Sequence, residues 1–276
     1  MITGATRVAG VIGDPVRHSL SPVLHNAAYE ALDLDWTYAA FEVPLGGTED
    51  ALAAVRALGL VGLSVTMPHK AAAAAACDEL SPQAKALESV NTVTLGPGGR
   101  LLGDSTDGEG FVRSLQQAGH DPAAGRFLVV GAGGAARAVA LAVGLIGAKV
   151  VVAARRPDEA ARTAALASGT TIGWDERNDA ISDSVFIVNA TPMGMGSDDC
   201  PLSLDPIEPR HIVTDLVYHP LDTALLRGAR SRGAQTVDGL GMLVQQAALQ
   251  VERWSGKVPP VAVMRAAAER ALGRTD

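Results

Sequence analysis

The chain has 276 residues, a formal net charge of −7 and a sequence pI near 5.4, and 47% of its residues are hydrophobic. This apolar fraction is enough for the core of one large domain or two modest ones, whereas the acidic balance and scattered arginines argue against nucleic-acid binding. The longest apolar stretch, residues 138–154, is interrupted by two glycines and a lysine, so no membrane span is predicted.

Short apolar strands alternate with alanine-rich helical stretches in the first part of the chain, a pattern typical of parallel α/β construction. The predicted elements in chain order are a strand at 8–12, a helix at 22–32, a strand at 37–43, a helix at 48–58 and a strand at 62–65. The P-G-G at 97–99 predicts a hairpin turn between 90–95 and 100–103, and a helix follows at 108–118.

A second α/β run begins at residue 127. Its predicted elements are a strand at 127–130, a helix at 135–146, and strands at 149–153, 185–189, 212–216 and 235–237. Two amphipathic helices, 242–254 and 261–272, follow a G-L-G turn that can return the chain to the first domain. The predicted domains are residues 1–107, completed by 240–276, and residues 108–239, with a cleft between them.

The cysteines and histidines do not form a recognisable metal or redox site. Cys77 and Cys200 lie far apart and have no C-x-x-C partner, which favours reduced, structural thiols. The six histidines lack the spacing of metal ligands, so no metal is predicted. The start of the chain, M-I-T-G-A-T-R, lacks the basic and apolar runs of a signal peptide, and a cytoplasmic location is expected.

A glycine-rich motif lies between the first strand and the first helix of the second domain. The stretch R-F-L-V-V-G-A-G-G-A-A-R-A places Gly131, Gly133 and Ala136 in G-x-G-x-x-A order. Gly131 permits a tight turn, Gly133 lets the backbone approach a pyrophosphate, and the free amides at the helix start favour negative charge. The sequence therefore predicts a Rossmann-type dinucleotide-binding domain within an α/β protein, the alternative being a glycine-rich turn without a ligand.

The end of the next strand indicates which dinucleotide is bound. NAD sites commonly carry an acidic residue there, but this chain reads A-A-R-R at 153–156. Two guanidiniums suit a 2′-phosphate, although either of them taken alone fits a solvated surface charge equally well. NADP is the predicted cofactor.

A lysine at the end of the third strand is a candidate acid/base. The chain has four lysines against nineteen arginines, and one of the four ends S-V-T-M-P-H-K at 64–70. Lysine, unlike arginine, can release its proton, so Lys70 at a strand-to-helix junction is a candidate general acid/base. Asp104 and Asp107 in G-D-S-T-D-G provide a partner, although helix capping explains Asp107 equally well from spacing alone.

Eight blocks in order along the chain resemble the successive motifs of the shikimate dehydrogenase family. They are G-D-P-V-R-H-S-L-S-P-V-L-H-N at 13–26, S-V-T-M-P-H-K at 64–70, S-V-N-T-V at 89–93, G-D-S-T-D-G at 103–108, G-A-G-G-A-A-R-A at 131–138, N-A-T-P-M-G-M at 189–195, D-L-V-Y-H-P at 215–220 and G-L-G-M-L-V-Q-Q-A-A at 239–248. The resemblance implies NADPH-dependent reduction of 3-dehydroshikimate to shikimate, in the chorismate pathway of aromatic amino acid biosynthesis. The resemblance does not fix the oligomeric state, and both a monomer and a homodimer fit it.

The resemblance also implies roles for individual residues. The implied catalytic pair is Lys70 and Asp107. The implied substrate-binding residues are Ser19, Ser21 and Tyr218 for the carboxylate, Thr66, Lys70, Asn91, Asp107 and Gln246 for the hydroxyls, and Ser64 without an assigned group. The implied cofactor-binding residues are Gly131, Ala132, Gly133, Gly134, Ala135, Arg155, Arg156, Thr191, Met193, Leu216, Gly239 and Met242.

Structural alternatives and departures accompany this resemblance. Ser21 before proline is also a normal helix N-cap, Thr66 and Asn91 fit strand ends, and Tyr218 and Gln246 fit the edge of a core. Many relatives carry Asn where Ser64 and Ser105 stand here. The shorter side chain of Ser64 leaves the affinity for the substrate open. His219 stands where Asn is common. The alternative functions are a dehydrogenase of quinate or of an amino analogue of shikimate, and a non-catalytic NADP-binding regulator of the same fold.

Overall fold

The computed structural model describes residues 2–273, which form two compact units. The first unit contains the residues up to Thr106 and those from Gln246 onward, and the second is Asp107–Gln245. The return to the first unit therefore falls inside a helix, Gly239–Ser255, that includes the G-L-G stretch. The prediction of a turn at that stretch was wrong, because both glycines continue into the helix as its first residues.

The structure has twelve strands and ten α-helices among the described residues. The strands are β1 (Arg7–Gly13), β2 (Trp36–Glu42), β3 (Gly62–Val65), β4 (Glu79–Leu80), β5 (Thr92–Leu95), β6 (Leu101–Asp104), β7 (Phe127–Val130), β8 (Val150–Ala153), β9 (Thr170–Ile172), β10 (Phe186–Asn189), β11 (Ile212–Asp215) and β12 (Gln235–Val237). The helices are α1 (Ser21–Ala31), α2 (Thr48–Leu58), α3 (Lys70–Ala76), α4 (Pro82–Leu87), α5 (Asp107–Gln117), α6 (Gly134–Leu145), α7 (Pro157–Ala165), α8 (Ala224–Ser231), α9 (Gly239–Ser255) and α10 (Val261–Leu272).

The first unit is built on a mixed six-stranded sheet in the order β2-β1-β3-β5-β6-β4. β1 pairs in parallel with β2 and β3, whereas β5 is antiparallel to both β3 and β6. The predicted hairpin is confirmed, with a 3-10 turn at Pro97–Gly99 between β5 and β6. This arrangement brings the carboxyl ends of β1, β3 and β6 and the amino end of β5 to one edge of the sheet.

The second unit is built on a fully parallel six-stranded sheet in the order β9-β8-β7-β10-β11-β12. With β7 counted as the first strand, this is the 3-2-1-4-5-6 order of the Rossmann fold. β7, β8 and β10 are buried along their whole length, as expected for strands that are covered by helices on both faces. The predicted α/β class with a Rossmann-type second domain is confirmed.

Aromatic stacking and close helix contacts stabilise the core of the second unit. The rings of Phe127 and Phe186 stack with centroids 4.3 Å apart on neighbouring strands. α5 lies so close to α6 that a Cβ on Gly108 would come within 2.5 Å of the carbonyl oxygen of Ala138. This contact packs the start of α5, the helix that begins at Asp107, against α6. None of the helices described within residues 2–273 has the length and apolar character needed to cross a membrane.

Candidate active site

The loop after β1 carries the first two predicted substrate residues. The amide of Ser21 donates to the hydroxyl oxygen of Ser19 over 3.2 Å. α1 begins at Ser21 itself, and its N-cap is Leu20, which makes no side-chain capping bond. The interpretation of Ser21 as an N-cap was therefore wrong by one position, so capping does not occupy its hydroxyl.

The turn between β3 and α3 is tied to β1 by backbone hydrogen bonds. The amide of Thr66 donates to the carbonyl of Ile12, and the amide of Asp14 donates to the carbonyl of Met67. A Cβ on Gly13 would lie 2.5 Å from the methyl carbon of Thr66, so the close approach of the two loops requires glycine at this position. Thr66 is thereby held at the same sheet edge as the loop that carries Ser19.

His69 fixes the start of the helix that begins at Lys70. The buried ring donates from Nε2 to the carbonyl of Val43 over 2.8 Å, because a carbonyl can only accept. Nδ1 then accepts from the hydroxyl of Thr48 over 2.9 Å. With both ring nitrogens bonded, the imidazole anchors the turn, and the neighbouring half-buried Lys70 begins α3 from a fixed backbone position.

Asn91 lies at the amino end of β5, at the same edge of the sheet. Its side-chain oxygen accepts from the backbone amide of Thr106 over 2.8 Å and from the hydroxyl of Thr92 over 2.7 Å. Its amide nitrogen donates to the hydroxyl of Thr106 over 2.9 Å and, weakly, to Gln246 Oε1 over 3.4 Å. The Asn91 side chain therefore ties the end of β5 to Thr106 and also lies beside Gln246, so the structural role does not compete with the predicted binding role.

Ser64 belongs to a buried hydrogen-bond chain. Its hydroxyl accepts from the Tyr38 hydroxyl over 2.6 Å and donates to Gln250 Oε1 over 2.7 Å. The Gln250 amide continues the chain to the hydroxyl of Thr92 over 3.0 Å. Tyr38 is stacked on the buried ring of His25, with centroids 4.0 Å apart. The single hydrogen of Ser64 is thus committed within the protein, so its hydroxyl can meet a ligand only as an acceptor.

Removing the Tyr38 hydroxyl is expected to destabilise the first unit. Tyr38→Phe should lower the free energy of unfolding by about 1–2 kcal/mol, because it removes a buried hydrogen bond to Ser64. Tyr29→Phe is the matched control, since the buried Tyr29 hydroxyl has no hydrogen-bond partner among residues 2–273. Urea unfolding of both variants measures the difference. Equal losses in the two variants would show that the Tyr38 bond adds nothing to stability.

Asp104, the other aspartate of G-D-S-T-D-G, is already occupied by structural contacts. Its carboxylate accepts from the Ser81 hydroxyl over 2.6 Å and from the Ser105 amide over 2.7 Å, and Arg253 Nε lies 2.5 Å from it. The ion pair holds α9 against the end of β6. Asp107 is the half-buried first residue of α5, where a carboxylate is favoured by the helix dipole. Asp104 therefore has a structural role, and Asp107 is the aspartate to which the family resemblance assigns catalysis.

The glycines of the turn after β7 are explained in two different ways, some by the fold and some by the approach of a ligand. Gly131 has φ +118°, and a Cβ there would lie 2.8 Å from the carbonyl oxygen of Ala190, so the fold itself requires glycine. Gly133 and Gly134 have no atom of the described residues within 4 Å of a built Cβ. The packing of the chain does not explain glycine at these two positions, whereas the close approach of a phosphate does. The turn therefore fits a dinucleotide.

A buried Asn–Asp pair joins the ends of β10 and β11. Asn189 Nδ2 donates to Asp215 Oδ1 over 2.9 Å, and Asn189 Oδ1 accepts from the amide of Thr191 over 3.0 Å. Asp215 also accepts from the Thr223 hydroxyl and the Val217 amide. Burial raises the pKa of Asp215, and these hydrogen bonds oppose the rise. The pair fixes the loops that carry several predicted residues, namely Thr191, Met193, Leu216 and Tyr218.

The remaining predicted residues of this unit lie beside those loops. Tyr218 is half-buried, and burial raises the pKa of its hydroxyl above the ordinary value for tyrosine. Gly239 begins α9 so close to Leu216 that a Cβ there would lie 2.4 Å from the Leu216 carbonyl oxygen. Met242 is partly buried against the main core of the unit. Ala132 and Ala135 belong to the turn and to the first helical turn of α6.

A cavity of about 430 Å³ opens at the carboxyl ends of β7, β8 and β10. It is lined by Gly131, Ala132, Gly133, Ala154, Arg155, Arg156, Trp174, Ala190, Thr191 and Pro192. The two arginines are exposed, and no acidic residue is among these lining residues. Trp174 was not among the predicted site residues. Its place in the cavity depends on β9 joining the sheet beside β8, which no local pattern indicated.

Comparison with known proteins is consistent with this geometry. A sequence model of the shikimate dehydrogenase substrate-binding domain matches residues 11–93, and one of the shikimate 5′-dehydrogenase C-terminal domain matches residues 239–269. The shikimate dehydrogenase (NADP(+)) of Symbiobacterium thermophilum is 44% identical over 98% of this chain and 96% of its own length. The chain belongs to the shikimate dehydrogenase family.

Solved structures of shikimate dehydrogenase family members have the same fold. Shikimate 5-dehydrogenase from Thermus thermophilus, solved with NADP(H) and shikimate, is 37% identical with a TM-score of 0.90 over 96% of this chain and all of that one. Quinate dehydrogenase from Corynebacterium glutamicum, solved with NAD, is 30% identical with a TM-score of 0.90 over 96% of this chain and 99% of that one. The chain is thus an oxidoreductase of the shikimate dehydrogenase family with a nicotinamide dinucleotide cofactor.

Proposed function

We propose that this chain is an NADP-dependent shikimate dehydrogenase, which interconverts 3-dehydroshikimate and shikimate in aromatic amino acid biosynthesis. In this proposal most of the residues that bind the acid belong to the first unit, which the C-terminal helices complete, and the second unit binds the cofactor. The observation that carries the proposal is the edge of the first sheet. At this edge the backbone amide of Thr66 is bonded to β1, and the Asn91 side chain, just before β5, donates to Gln246 of α9. Ser19 and Lys70 belong to the segments that follow β1 and β3 at the same edge.

Lys70 is the proposed general acid/base. Reduction of a ketone builds negative charge on its oxygen, and a proton donor must meet that charge as it forms. Bound nicotinamide supplies or takes the hydride. The Lys70 ammonium donates the proton to the ketone oxygen, and in the reverse direction the amine accepts the hydroxyl proton of shikimate. His69 supports this role because it fixes the backbone from which Lys70 projects.

The remaining polar residues are proposed to position the acid. Ser19, Ser21 and the protonated Tyr218 hydroxyl donate to its carboxylate. Thr66, Asn91 and Gln246 bind its hydroxyls, and Ser64 contributes only as an acceptor because its hydrogen is donated to Gln250. Asp107, the first residue of α5, is proposed as the catalytic partner of Lys70, as the family resemblance implies. These roles need oriented polar groups rather than a large apolar pocket, which suits a small polyhydroxy acid.

The preference for NADP over NAD is assigned to Arg155 and Arg156. Both are exposed at the cavity directly after β8, where the ribose 2′ position of a Rossmann cofactor lies. The double variant Arg155→Gln with Arg156→Gln should raise KM for NADP+ by about 10-fold to 100-fold and leave KM for NAD+ within about 3-fold. The exposed Arg162→Gln on α7 is the control. Equal changes for both cofactors would contradict the assignment.

Product identification tests the proposed reaction. Purified protein is incubated with shikimate and NADP+, and the product is analysed by mass spectrometry and proton NMR. The expected product is 3-dehydroshikimate, formed in a one-to-one ratio with NADPH. Formation of NADPH with quinate but not with shikimate would reject the substrate while keeping the oxidoreductase class, and no reduction with either acid would reject both.

A further inference from the structure

Trp174 occupies a defined position in the cavity of the second unit. It begins the 3-10 turn Trp174–Glu176, which follows β9, and its half-buried side chain lines the cavity with Arg155 and Arg156. The other lining residues are glycines, alanines, a threonine and a proline. Trp174 is thus the largest side chain with an apolar ring among these lining residues, it also packs against the core of the unit, and no part of the function proposed above uses it.

The indole ring is held in place by its neighbours. The guanidinium carbon of Arg177 lies 4.2 Å from the ring centroid, a distance suited to a cation–π contact on one face. Arg177 is itself fixed, because Nε donates to the carbonyl of Pro201 over 2.7 Å and Nη1 to the carbonyl of Trp174 over 2.6 Å. The turn is closed by a hydrogen bond from the Gly173 amide to Glu176 Oε2 over 2.6 Å. Little ordering of the ring is left to be done when a ligand binds.

The chemistry of the other lining groups indicates what the ring would contact. Glycine amides at the start of α6 suit a pyrophosphate, and the two arginines suit a 2′-phosphate on the ribose. These groups account for both charged parts of an adenosine that is phosphorylated at its 5′ and 2′ positions. The uncharged, planar base is the remaining part, and an aromatic ring is the side chain that binds a base through its π face.

We propose that Trp174, braced by Arg177, forms the adenine-binding wall of the cofactor site. The inference rests on the proposed NADP-binding role of the second unit and adds a residue to it. It makes Trp174 a determinant of affinity for the adenosine end of the cofactor, with no part in hydride transfer or in binding of the acid. Its variants should therefore change cofactor affinity and leave KM for shikimate unchanged.

Calorimetric titration with adenosine 2′,5′-bisphosphate tests the inference, because this probe has the adenine and the 2′-phosphate but no nicotinamide. Trp174→Leu should raise its Kd by about 10-fold to 100-fold, and Trp174→Phe should restore most of the affinity. Trp36→Leu is the matched control, since Trp36 also lies under an arginine, with the Arg7 guanidinium 4.9 Å from its ring, but belongs to the first unit. Its Kd should equal that of the wild type.

A second readout does not depend on how well the leucine variant folds. In the Trp36→Phe protein, saturation with the bisphosphate should quench tryptophan emission, and the quench should disappear when Trp174→Phe is added. An unchanged Kd for the bisphosphate in folded Trp174→Leu, or quenching that persists after Trp174→Phe, would overturn the adenine-binding role of Trp174. It would leave the proposed NADP-binding role of the second unit intact. Failure of the wild type to bind the bisphosphate would overturn the cofactor proposal together with the wall.

Discussion

Lys70→Met lowers kcat for shikimate oxidation by about 10²-fold to 10⁴-fold, the usual contribution of a positioned general acid/base. Methionine keeps most of the length of the side chain and removes the amine, and His69 still holds the turn through Thr48 and Val43. The Kd for NADP+ should therefore stay within about 2-fold of the wild-type value, because the glycine turn and the arginines belong to the other unit.

Two comparisons separate the loss of chemistry from a loss of structure. Lys85→Met changes an exposed lysine on α4 and should leave kcat unchanged. Lys70→Arg keeps a positive charge but cannot release its proton, so it should be nearly as inactive as Lys70→Met. A Lys70→Arg enzyme with wild-type kcat would reduce the role of this residue to electrostatic binding of the acid.

The second large effect is expected from two neighbouring glycines that respond in different ways. Gly131→Ala places a Cβ against the Ala190 carbonyl in a backbone conformation with φ +118°, and it should lower the free energy of unfolding by about 2 kcal/mol or more. Gly133→Ala meets no protein atom and has φ −77°, so it should change stability by less than about 1 kcal/mol.

Cofactor binding should be affected even where stability is not. The methyl group of Gly133→Ala enters the space through which a pyrophosphate approaches the helix start, and the Kd for NADP+ should rise by about 10-fold or more. Chemical denaturation gives the free energy of unfolding of each variant, and calorimetric titration gives the Kd of each variant for NADP+. A Gly133→Ala protein that binds NADP+ as tightly as the wild type would show that the phosphates do not lie on this turn.

Much of the architecture could be predicted from the sequence, because each buried parallel strand is a short apolar run followed by turn residues. β7 and the glycine turn after it were placed correctly for this reason. β9 and α8 were missed. β9 is a short edge strand with two exposed threonines, so it lacks a clear apolar pattern. α8 contains Gly228, a poor helix former, which packs so closely against Leu204 that a Cβ would lie 2.2 Å from a methyl of that residue.

The family resemblance implied which residues form the candidate site, but it did not give the hydrogen bonds among them. The resemblance identified Ser64 and Asn91 as binding residues, yet their hydrogen bonds to Tyr38, Thr106 and Gln250 join segments that are distant in the chain. Such contacts follow from the order of strands in the sheet, which local patterns do not encode. The same reason explains why Trp174 was missed, whereas Ser21 was interpreted as a cap because helix α1 begins one residue earlier than its sequence indicated.

The central claim is that this chain oxidises shikimate with NADP+, and one set of steady-state assays tests it most directly. The absorbance of the reduced nicotinamide is followed for shikimate and for quinate, each with NADP+ and with NAD+, on the same purified protein. We expect kcat/KM for shikimate with NADP+ to exceed each of the other three values by at least about 10-fold. A larger kcat/KM for quinate, or for NAD+ with either acid, would contradict it.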